Sequence, residues 1–549
     1  MHYQPIIQAL RQHYCHLAIA SGIAIGCFSN IYPAIAQISP DNNLPDGQTV
    51  VSPGTNLGRD FLITGGTQAG SNLFHSFAEF SVPTGGSAIF QNLNPNIQNI
   101  IGRITGGLQS DIDGLIQANS NLFLINPNGI VFGPNASLDI KGSFIGSTAS
   151  SLELSNKDLF SATNPAPPLL TISVPLGLQF GRKPGNIKVE GSGFPPLGAP
   201  LLVQPFQTLA LVGGDISVSD QLLVAPGGRV ELGSVGDNSF VSLTQNSQGF
   251  TLGYAKVQNY QNLQLDRSLV SVNGPGGGNA QLQGDTVTLN QTQVLANTAP
   301  NGTENGGGIT IRGNQLSLND SLVRAITFGS VTGGDVKLEA SNVIVQGPST
   351  IVSAETEGIA NGGNLTIEAD DVQVANLSIL GTETKGQGAS GNVTIQTKKL
   401  SILDGAQIGV NTRNLGSGGK LTVEATDYID LVGVGELDQL YSSGLIAETS
   451  SSGNGGEIIL ETPKLSIRDG ALIQASTFAD GAAGSIKIDA AETELIDSPT
   501  VAKVGGVFNQ VELGATGQGG NITLETDKLL IQGGAQVSAS TFSAGDAGS

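Results

Sequence analysis

Residues 391–410, which read GNVTIQTKKLSILDGAQIGV, decide the fold. A Gly-Asn turn leads into Val393–Gln396, where apolar and polar side chains alternate, so that one side of a strand is buried and the other is exposed. Leu400–Ile402 repeats the alternation, and Asp404-Gly405-Ala406 then supplies a second turn. The stretch therefore predicts two short, half-buried strands separated by glycine-containing corners, without helical periodicity.

The same pattern recurs along the second half of the chain at a nearly constant spacing. Gly-rich turns that lead into β-branched strands end at residues 279, 308, 335, 364, 392, 420, 457, 485 and 521. The intervals between them are 29, 27, 29, 28, 28, 37, 28 and 36 residues. A unit of this size with two or three strands cannot bury its apolar side alone, so we expect successive units to stack.

Two architectures are compatible with stacked β units, a β-helix with one coil per repeat and a β-propeller with one blade per repeat. A blade needs four strands and roughly 40 to 50 residues, more than the usual interval, so the sequence favours a parallel β-helix. Coils from about residue 50 onward would number roughly 18 and form a rod roughly 85 Å long at ~4.8 Å per layer. Residue 549 falls 28 residues after residue 521, so we expect a truncated shaft that stops where another coil would begin.

The first 36 residues have the composition of a secretory signal peptide. They contain one charged residue, Arg11, and an apolar stretch, Leu17–Phe28, and they end in Ala34-Ile35-Ala36, a small-x-small cleavage pattern. The apolar stretch is shorter than the ~20 residues that a membrane-spanning helix needs. Cleavage between Ala36 and Gln37 is therefore predicted, rather than an N-terminal membrane anchor.

Composition excludes several classes of function. The 549 residues include 24 Lys and Arg against 45 Asp and Glu, a formal charge of −21 that becomes −22 once Arg11 is removed. Such a chain lacks the basic surface that nucleic acid requires, so nucleic acid is not an expected partner. Cleavage also removes both cysteines and leaves His75 as the last histidine. Disulfides, thiolate nucleophiles and cysteine-based zinc sites are then excluded.

The clearest local signal in the first half of the chain lies in Asn121–Gly133, where two apolar strands flank Asn126-Pro127-Asn128-Gly129-Ile130. Pro127 fixes φ at the first central position of a turn, Asn128 tolerates the second, and Gly129 adopts a positive φ. Asn126 can bond the backbone from the first place of the turn. The residues alone predict a tight turn.

Seven blocks around this turn, in a fixed order, resemble the N-terminal secretion domain of filamentous-haemagglutinin-type proteins, also called the haemagglutination activity domain. The blocks are Asn72–Phe77, Arg103–Gly107, Ser110–Gly114, Asn121–Gly133, Asn135–Ile140, Gly142–Phe144 and Ser147–Ala149. The strong resemblance covers about residues 40–150. Beyond it, the chain shares only the general repetitive character of the family's shaft.

The resemblance implies a two-partner secretion exoprotein of a Gram-negative bacterium. Such a chain enters the periplasm by its signal peptide, and the periplasmic recognition domains of a dedicated outer-membrane β-barrel transporter then bind it. The resemblance also implies that Asn126, Pro127, Asn128, Gly129 and Ile130 act in secretion, through the fold or through transporter recognition. A similar run, Asn94–Ile97, precedes Arg103–Gly107, and we do not assign it the role of the family's Asn-Pro-Asn-Leu motif.

The expected organisation follows from the repeat and the resemblance. We expect a signal peptide over residues 1–36, a secretion domain over 37–160, a transitional β-helical region over 161–270 and a shaft of repeats over 271–549. The expected fold is all-β, a right-handed parallel β-helix that the N-terminal secretion domain caps. The expected product is an adhesin-like protein, secreted or held at the cell surface, with cell-surface glycans or other cells as candidate targets.

The alternative function is a secreted β-helical polysaccharide lyase or hydrolase, since such enzymes share the fold. An enzyme would interrupt the repeat with clustered carboxylates and with aromatic platforms for sugars. The chain has no Trp, and only the intervals of 37 and 36 residues offer candidates, Glu436–Asp438 with Tyr441 and Glu492–Asp497. We predict no catalytic residue, no cofactor and no metal site, and we expect His75 to be a packed structural residue.

Overall fold

The computed structural model describes residues 37–549 except 57, 156, 166–173, 194–198, 248 and 499–500. The chain separates into two compact units, Met1–Ile35 and Ala36–Ser549, and every described residue belongs to the second. Within the described residues all regular elements are β-strands. No helix long and apolar enough to cross a bilayer occurs among them.

Most strands stack in parallel on three faces of a β-helix. The first face contains β5 (Asn72–Phe80), β7 (Asn99–Ile104), β10 (Asn121–Ile125), β13 (Phe144–Ser147), β19 (Thr208–Gly213), β22 (Arg229–Ser234), β27 (Asn279–Gln283), β30 (Gly308–Arg312), β33 (Asp335–Glu339), β36 (Leu365–Glu368) and β49 (Ile522–Glu525). The second face contains β8 (Ser110–Ile112), β11 (Ile130–Phe132), β17 (Ile187–Glu190), β20 (Ile216–Ser219), β25 (Leu263–Asp266), β28 (Thr286–Asn290), β31 (Gln315–Asn319), β34 (Asn342–Gln346), β37 (Asp371–Ala375) and β50 (Lys528–Gln532). Four bent strands continue from the first face onto the second, namely β39 (Val393–Leu403), β41 (Lys420–Val432), β45 (Glu457–Arg468) and β47 (Ile486–Ile496).

The third face is built from shorter strands in two stacks. The first stack contains β3 (Asp60–Gly65), β6 (Ser87–Phe90), β9 (Leu115–Ala118) and β12 (Ser137–Ile140). The second contains β18 (Leu201–Leu202), β21 (Leu222–Val224), β26 (Leu269–Ser271), β29 (Gln293–Leu295), β32 (Leu322–Thr327), β35 (Ile351–Thr356), β38 (Ile379–Thr384), β40 (Gln407–Thr412), β44 (Gly444–Thr449), β46 (Leu472–Thr477), β48 (Gly506–Val511) and β51 (Gln536–Thr541). Each coil therefore contributes one strand to each face.

The strand register confirms the parallel β-helix that the repeat predicts. Leu365 pairs with Val393, and Val393 pairs with Leu421, so one interval of 28 residues is one coil. The apolar residues of the alternating strands point into the helix, where Val, Leu and Ile form one continuous core from Ile38 to Val507. The polar residues of the same strands face outward.

The third face has sixteen parallel layers in the described residues, four in one stack and twelve in the other, against the roughly eighteen coils expected. The difference arises because two segments, residues 148–186 and 235–262, leave the helix between a first-face and a second-face strand. Both segments depart from the corner at which β10 also turns into β11.

These two segments form an antiparallel sheet that covers part of the first face, and we call it the flap. Its strands are β14 (Ser151–Leu154), β15 (Leu159–Ser161), β16 (Pro175–Gln179), β23 (Phe240–Asn246) and β24 (Gly249–Lys256), in the order β15-β14-β16-β23-β24. A second hydrophobic core lies beneath the flap. In it the Phe123 ring on β10 meets the Phe250 ring on β24 edge to face, with centroids 5.2 Å apart. The repeat pattern of the sequence did not predict this sheet.

Antiparallel strands also cover the N-terminal end of the helix. They are β1 (Ile38–Pro40), β2 (Thr49–Pro53) and β4 (Thr67–Ala69). The first and third pair with β5, and β2 pairs with β3. This cap closes the first coil. A separate hairpin of β42 (Val434–Glu436) and β43 (Leu440–Ser442) projects from the shaft and accounts for the interval of 37 residues.

Stacking explains the glycines at the corners of the shaft. A Cβ on Gly391 would fall well within 3.0 Å of the carbonyl oxygen of Gly363 in the preceding coil. Gly419 has the same relation to Gly391. Because parallel strands are only ~4.8 Å apart, this column has no room for a side chain.

Candidate functional site

The Asn126–Ile130 segment forms the corner between β10 on the first face and β11 on the second. The N–H of Gly129 donates to the carbonyl of Asn126 at 3.1 Å, and Gly129 has a φ of +122°. This is the tight turn that the sequence predicts, placed between two faces of a coil. Its role in secretion remains a prediction.

The Asn126 side chain is fully buried and ties two coils together. Its Nδ2 donates to the carbonyl of Leu108 at 3.0 Å and to Oγ of Ser110 at 2.9 Å. Its Oδ1 accepts from the backbone N–H of Asn128 at 3.0 Å. The Leu108 carbonyl and the Asn128 N–H belong to loops and Ser110 begins β8, so the buried amide satisfies polar groups where the chain changes direction.

The backbone of the same corner is bonded to both neighbouring layers. The Ser110 N–H donates to the Gly129 carbonyl at 3.0 Å. On the other side, Gly185 donates to the Pro127 carbonyl at 3.0 Å, and Ile130 donates to the Asn186 carbonyl at 3.1 Å. The turn therefore lies between the loop of residues 105–109 and the loop of residues 182–186.

We call four of the exposed residues in the turn and in its two neighbouring loops the corner surface: Leu108, Asn128, Arg182 and Lys183. Asn128 Nδ2 donates to the Gly106 carbonyl at 2.7 Å, which fixes the loop that presents Leu108. The Leu108 side chain is 63% exposed. Within the described part of the chain, neither Arg182 nor Lys183 forms an ion pair, although Asp237 Oδ1 accepts the Lys183 backbone N–H at 2.8 Å.

Comparison with known families gives this region its identity. Residues 36–283 match the family described as the TPS secretion domain, where TPS denotes two-partner secretion. The chain carries a TPS secretion domain. The resemblance of this region to the secretion domain of filamentous-haemagglutinin-type two-partner secretion exoproteins, predicted from its motifs, is confirmed.

Two further comparisons concern solved structures and curated protein sequences. Among solved structures, the chain is similar to the crystal structure of the HMW1 secretion domain from Haemophilus influenzae, with 14% identity and a TM-score of 0.35. That similarity covers 90% of this chain and 100% of the other. No curated protein sequence matches the chain.

The family match covers residues 161–270, which we predicted to form a transitional β-helical region. The family match ends at residue 283, the last residue of β27, and so includes the cap, the flap and the first coils of the helix. The corner surface lies within it.

Arg103 joins the cap of the TPS secretion domain to its flap. This side chain is fully buried, and Nε donates to Ser76 Oγ at 2.8 Å while Nη1 donates to the Ser161 carbonyl at 2.7 Å. Nη2 donates to the carbonyls of Asn43 and Pro165 at 3.1 and 3.2 Å. Burial lowers the pKa of Arg103 to about 10. The sequence places Arg103 in a family motif but does not predict these contacts. The one signal for them in the sequence is a lone cation inside an apolar strand.

His75 is a packed residue of the same domain. It is 1% exposed, its Nδ1 lies 3.3 Å from Thr49 Oγ1, and its ring contacts those of Phe77 and Phe90. Burial lowers the pKa of His75 to about 3, so the ring is neutral at ordinary pH. These contacts agree with the structural role expected from the sequence.

The acids singled out for an enzyme do not converge on one site. Glu436 and Asp438 are exposed on the projecting hairpin, where Asp438 Oδ1 accepts from the Tyr441 hydroxyl at 2.9 Å. Asp497 accepts backbone N–H groups of Gly470 and Gly505 at 3.0 and 2.8 Å, and Glu492 pairs with Lys528. Within the described residues no group of three or more His, Cys, Asp or Glu side chains could hold a metal ion.

The predicted signal cleavage involves Ala34, Ala36 and Gln37. Ala34 and Ala36 lie outside the described residues. Gln37 is the first described residue, and its carbonyl accepts the Ser81 N–H at 3.0 Å.

Proposed function

We propose that this protein is an adhesin-like exoprotein whose secretion domain is recognised by the periplasmic domains of an outer-membrane β-barrel transporter. Export by a two-partner pathway follows from the family match over residues 36–283, which is the observation that carries the proposal. We also propose that the transporter recognises the Asn126–Ile130 corner and that the shaft presents binding surfaces. The mature protein would be secreted or held at the cell surface after passing the periplasm and the outer membrane.

The geometry of the corner supports a double role for the motif. Asn126 is buried and holds the layers together, whereas Asn128 is exposed and fixes the loop that carries Leu108. The corner surface combines an apolar side chain with two cations that form no ion pair with any described residue, in a chain whose formal charge is −21. A transporter domain with an apolar pocket bordered by carboxylates would complement it.

Secretion assays can separate recognition from folding. Asn126→Ala should lower the amount of protein in the culture supernatant, because it disrupts the corner, and Leu108→Ser with Arg182→Glu should lower it without loss of folding stability. Asn361→Ala is the matched control, since Asn361 Oδ1 accepts the Ala389 N–H at 3.0 Å in the shaft. Equal secretion of the corner variants and the unaltered chain would remove the corner from the recognition step.

The shaft supports an adhesin-like role because its coils repeat and, within the described residues, no group of three or more His, Cys, Asp or Glu side chains could hold a metal ion. Cell-surface glycans or other cells are the proposed targets. The alternative, a polysaccharide lyase or hydrolase, rests on the projecting hairpin. Purified residues 37–549 should release no oligosaccharides from acidic or neutral polysaccharides. Release that disappears in the Glu436→Ala, Asp438→Ala double variant would establish the enzyme instead.

A further inference from the structure

A group of buried polar atoms lies beneath the last strand of the flap. Glu231, on the outer side of β22, is fully buried, and its Oε2 has no hydrogen-bond partner. The Tyr254 hydroxyl and both amide atoms of Gln283 are also buried without partners. Unpartnered buried polar atoms are uncommon in folded proteins, because each keeps its full desolvation cost.

These side chains come from three strands that meet at one place. Gln283 of β27 stands directly opposite Gly233 in the strand register. The Tyr254 hydroxyl of β24 lies so close over Gly233 that a Cβ there would meet it at 2.5 Å. Glu231 precedes Gly233 by two residues on the same side of β22, so its fully buried side chain also lies beneath β24. The group therefore joins the flap to two coils of the helix.

The strand that the group contacts is the edge of the flap. β24 pairs with β23 along one side. On the other side Phe250 donates its N–H to Thr208 Oγ1 at 2.8 Å, and its carbonyl accepts from the same hydroxyl at 2.8 Å. The Thr208 hydroxyl thus bonds the free edge of β24 to the first face, and the buried Glu231 carboxyl lies beneath the same strand.

The surroundings of Glu231 make its ionisation unfavourable. Arg229 Nη1 lies 3.2 Å from Glu231 Oε1, yet burial outweighs this cation and raises the pKa of Glu231 to about 8. The other groups around it are the neutral Ala210 of β19, Gln281 and Gln283 of β27, Tyr254 of β24, and Tyr260, which itself faces Arg312 of β30. The carboxyl is therefore protonated at neutral pH and loses its proton under mildly alkaline conditions.

We propose that Glu231 is a pH-sensitive latch: β24 stays closed over the first face while the buried carboxyl is protonated, and ionisation of that carboxyl favours release of the strand. Release would expose the second core, in which Phe250 of β24 packs against Phe123. β24 would therefore stay closed over the second core in acid and would open more often in mild alkali. It acts on the folded protein and does not depend on how the transporter recognises the domain.

The direction follows from proton linkage. Once β24 is released, Glu231 returns toward its ordinary pKa near 4.5, so the released state binds fewer protons than the latched state between that value and about 8. Opening should therefore become more frequent as pH rises through this range and should level off above it. Opening of β24 should increase by at least about tenfold between pH 5.5 and pH 7.5.

Hydrogen exchange of the amides in residues 240–256 of the purified chain measures this opening, after correction for the intrinsic pH dependence of exchange. The unaltered chain should show the rise, and Glu231→Gln should show a flat profile. Glu190→Gln is the control, because Glu190 is a partly exposed acid that pairs with Lys188 on the second face. A flat profile in the unaltered chain, or the same slope in Glu231→Gln, would overturn the latch. A slope abolished equally by Glu190→Gln would also overturn it.

Discussion

The buried side-chain amide of Asn126 links the Asn126–Ile130 corner to the neighbouring coil. Its Nδ2 bonds the Leu108 carbonyl and Ser110 Oγ, and its Oδ1 bonds the N–H of Asn128. An alanine at this position would leave buried polar groups without partners, at a cost of about 1–3 kcal/mol. Asn128, by contrast, is exposed, and water can replace its bond to Gly106.

The first prediction concerns the stability of these two variants. Asn126→Ala should lower the free energy of unfolding of residues 37–549 by about 1–3 kcal/mol, and Asn128→Ala should lower it by less than about 1 kcal/mol. Urea unfolding monitored by circular dichroism measures both. A loss for Asn128→Ala as large as that for Asn126→Ala would show that burial does not distinguish the two asparagines.

The second prediction concerns His75 and acid. Because burial lowers its pKa to about 3, the folded protein keeps His75 neutral while the unfolded chain protonates it below about pH 6.5. His75 should therefore make the protein less stable as pH falls from 6.5 toward 3. His75→Gln should give a smaller fall in stability than the unaltered chain between pH 6.5 and 5, where few carboxylates titrate. Parallel stability curves over that window would contradict the assignment.

At the scale of the coil, spacing between strands decides which residues a corner accepts. Gly363, Gly391 and Gly419 stand one above another, and each faces the carbonyl of the one before it. The threonines at the ends of the third-face strands form a second column, in which Thr356 Oγ1 and Thr384 Oγ1 donate to carbonyls four residues on, at 2.7 and 2.6 Å. One column avoids side chains, and the other uses a hydroxyl to close each turn.

The third prediction tests the glycine column. Gly391→Ala should lower the free energy of unfolding by about 1–3 kcal/mol, as expected for overpacking. Gly107→Ala is the control, because a Cβ at Gly107 meets nothing within 4 Å. Thermal unfolding of the two variants provides the comparison. A loss in Gly391→Ala no larger than in Gly107→Ala would contradict the account of the corners.

The coils could be predicted from the sequence because their constraints are local and repeat. Stacking requires glycine at the same place in each coil, and alternation along Val393–Gln396 reports burial directly. The flap could not be predicted in this way, since Phe240–Asn246 and Gly249–Lys256 alternate just as coil strands do. The contacts of Arg103 were also unpredictable, because its acceptors at Asn43 and Pro165 lie about 60 residues away along the chain.

The described residues form a repetitive shaft and a secretion domain whose second core joins residues that are far apart in the sequence. Coils of the shaft contact their neighbours, so their stability is close to a sum over layers. The secretion domain instead has a second core that draws on residues from Leu44 to Tyr254. This second core cannot form until all these residues are present. The requirement is consistent with a family match that continues to residue 283.

The fourth prediction concerns the formation of this second core. A fragment of residues 37–283 should unfold cooperatively, whereas residues 37–160 should not, because the shorter fragment lacks β16, β23 and β24 of the flap. Urea unfolding and hydrogen exchange of β5 measure the difference. Equal cooperativity of the two fragments would show that the flap contributes nothing to the cooperative folding of the secretion domain.

The central claim is that the secretion domain directs export through an outer-membrane transporter. Its most direct test is the amount of residues 1–283 in the culture supernatant of cells with and without the transporter. We predict that this fragment reaches the supernatant only when the transporter is present. Equal amounts in both kinds of cell, or retention in the periplasm despite the transporter, would contradict the claim.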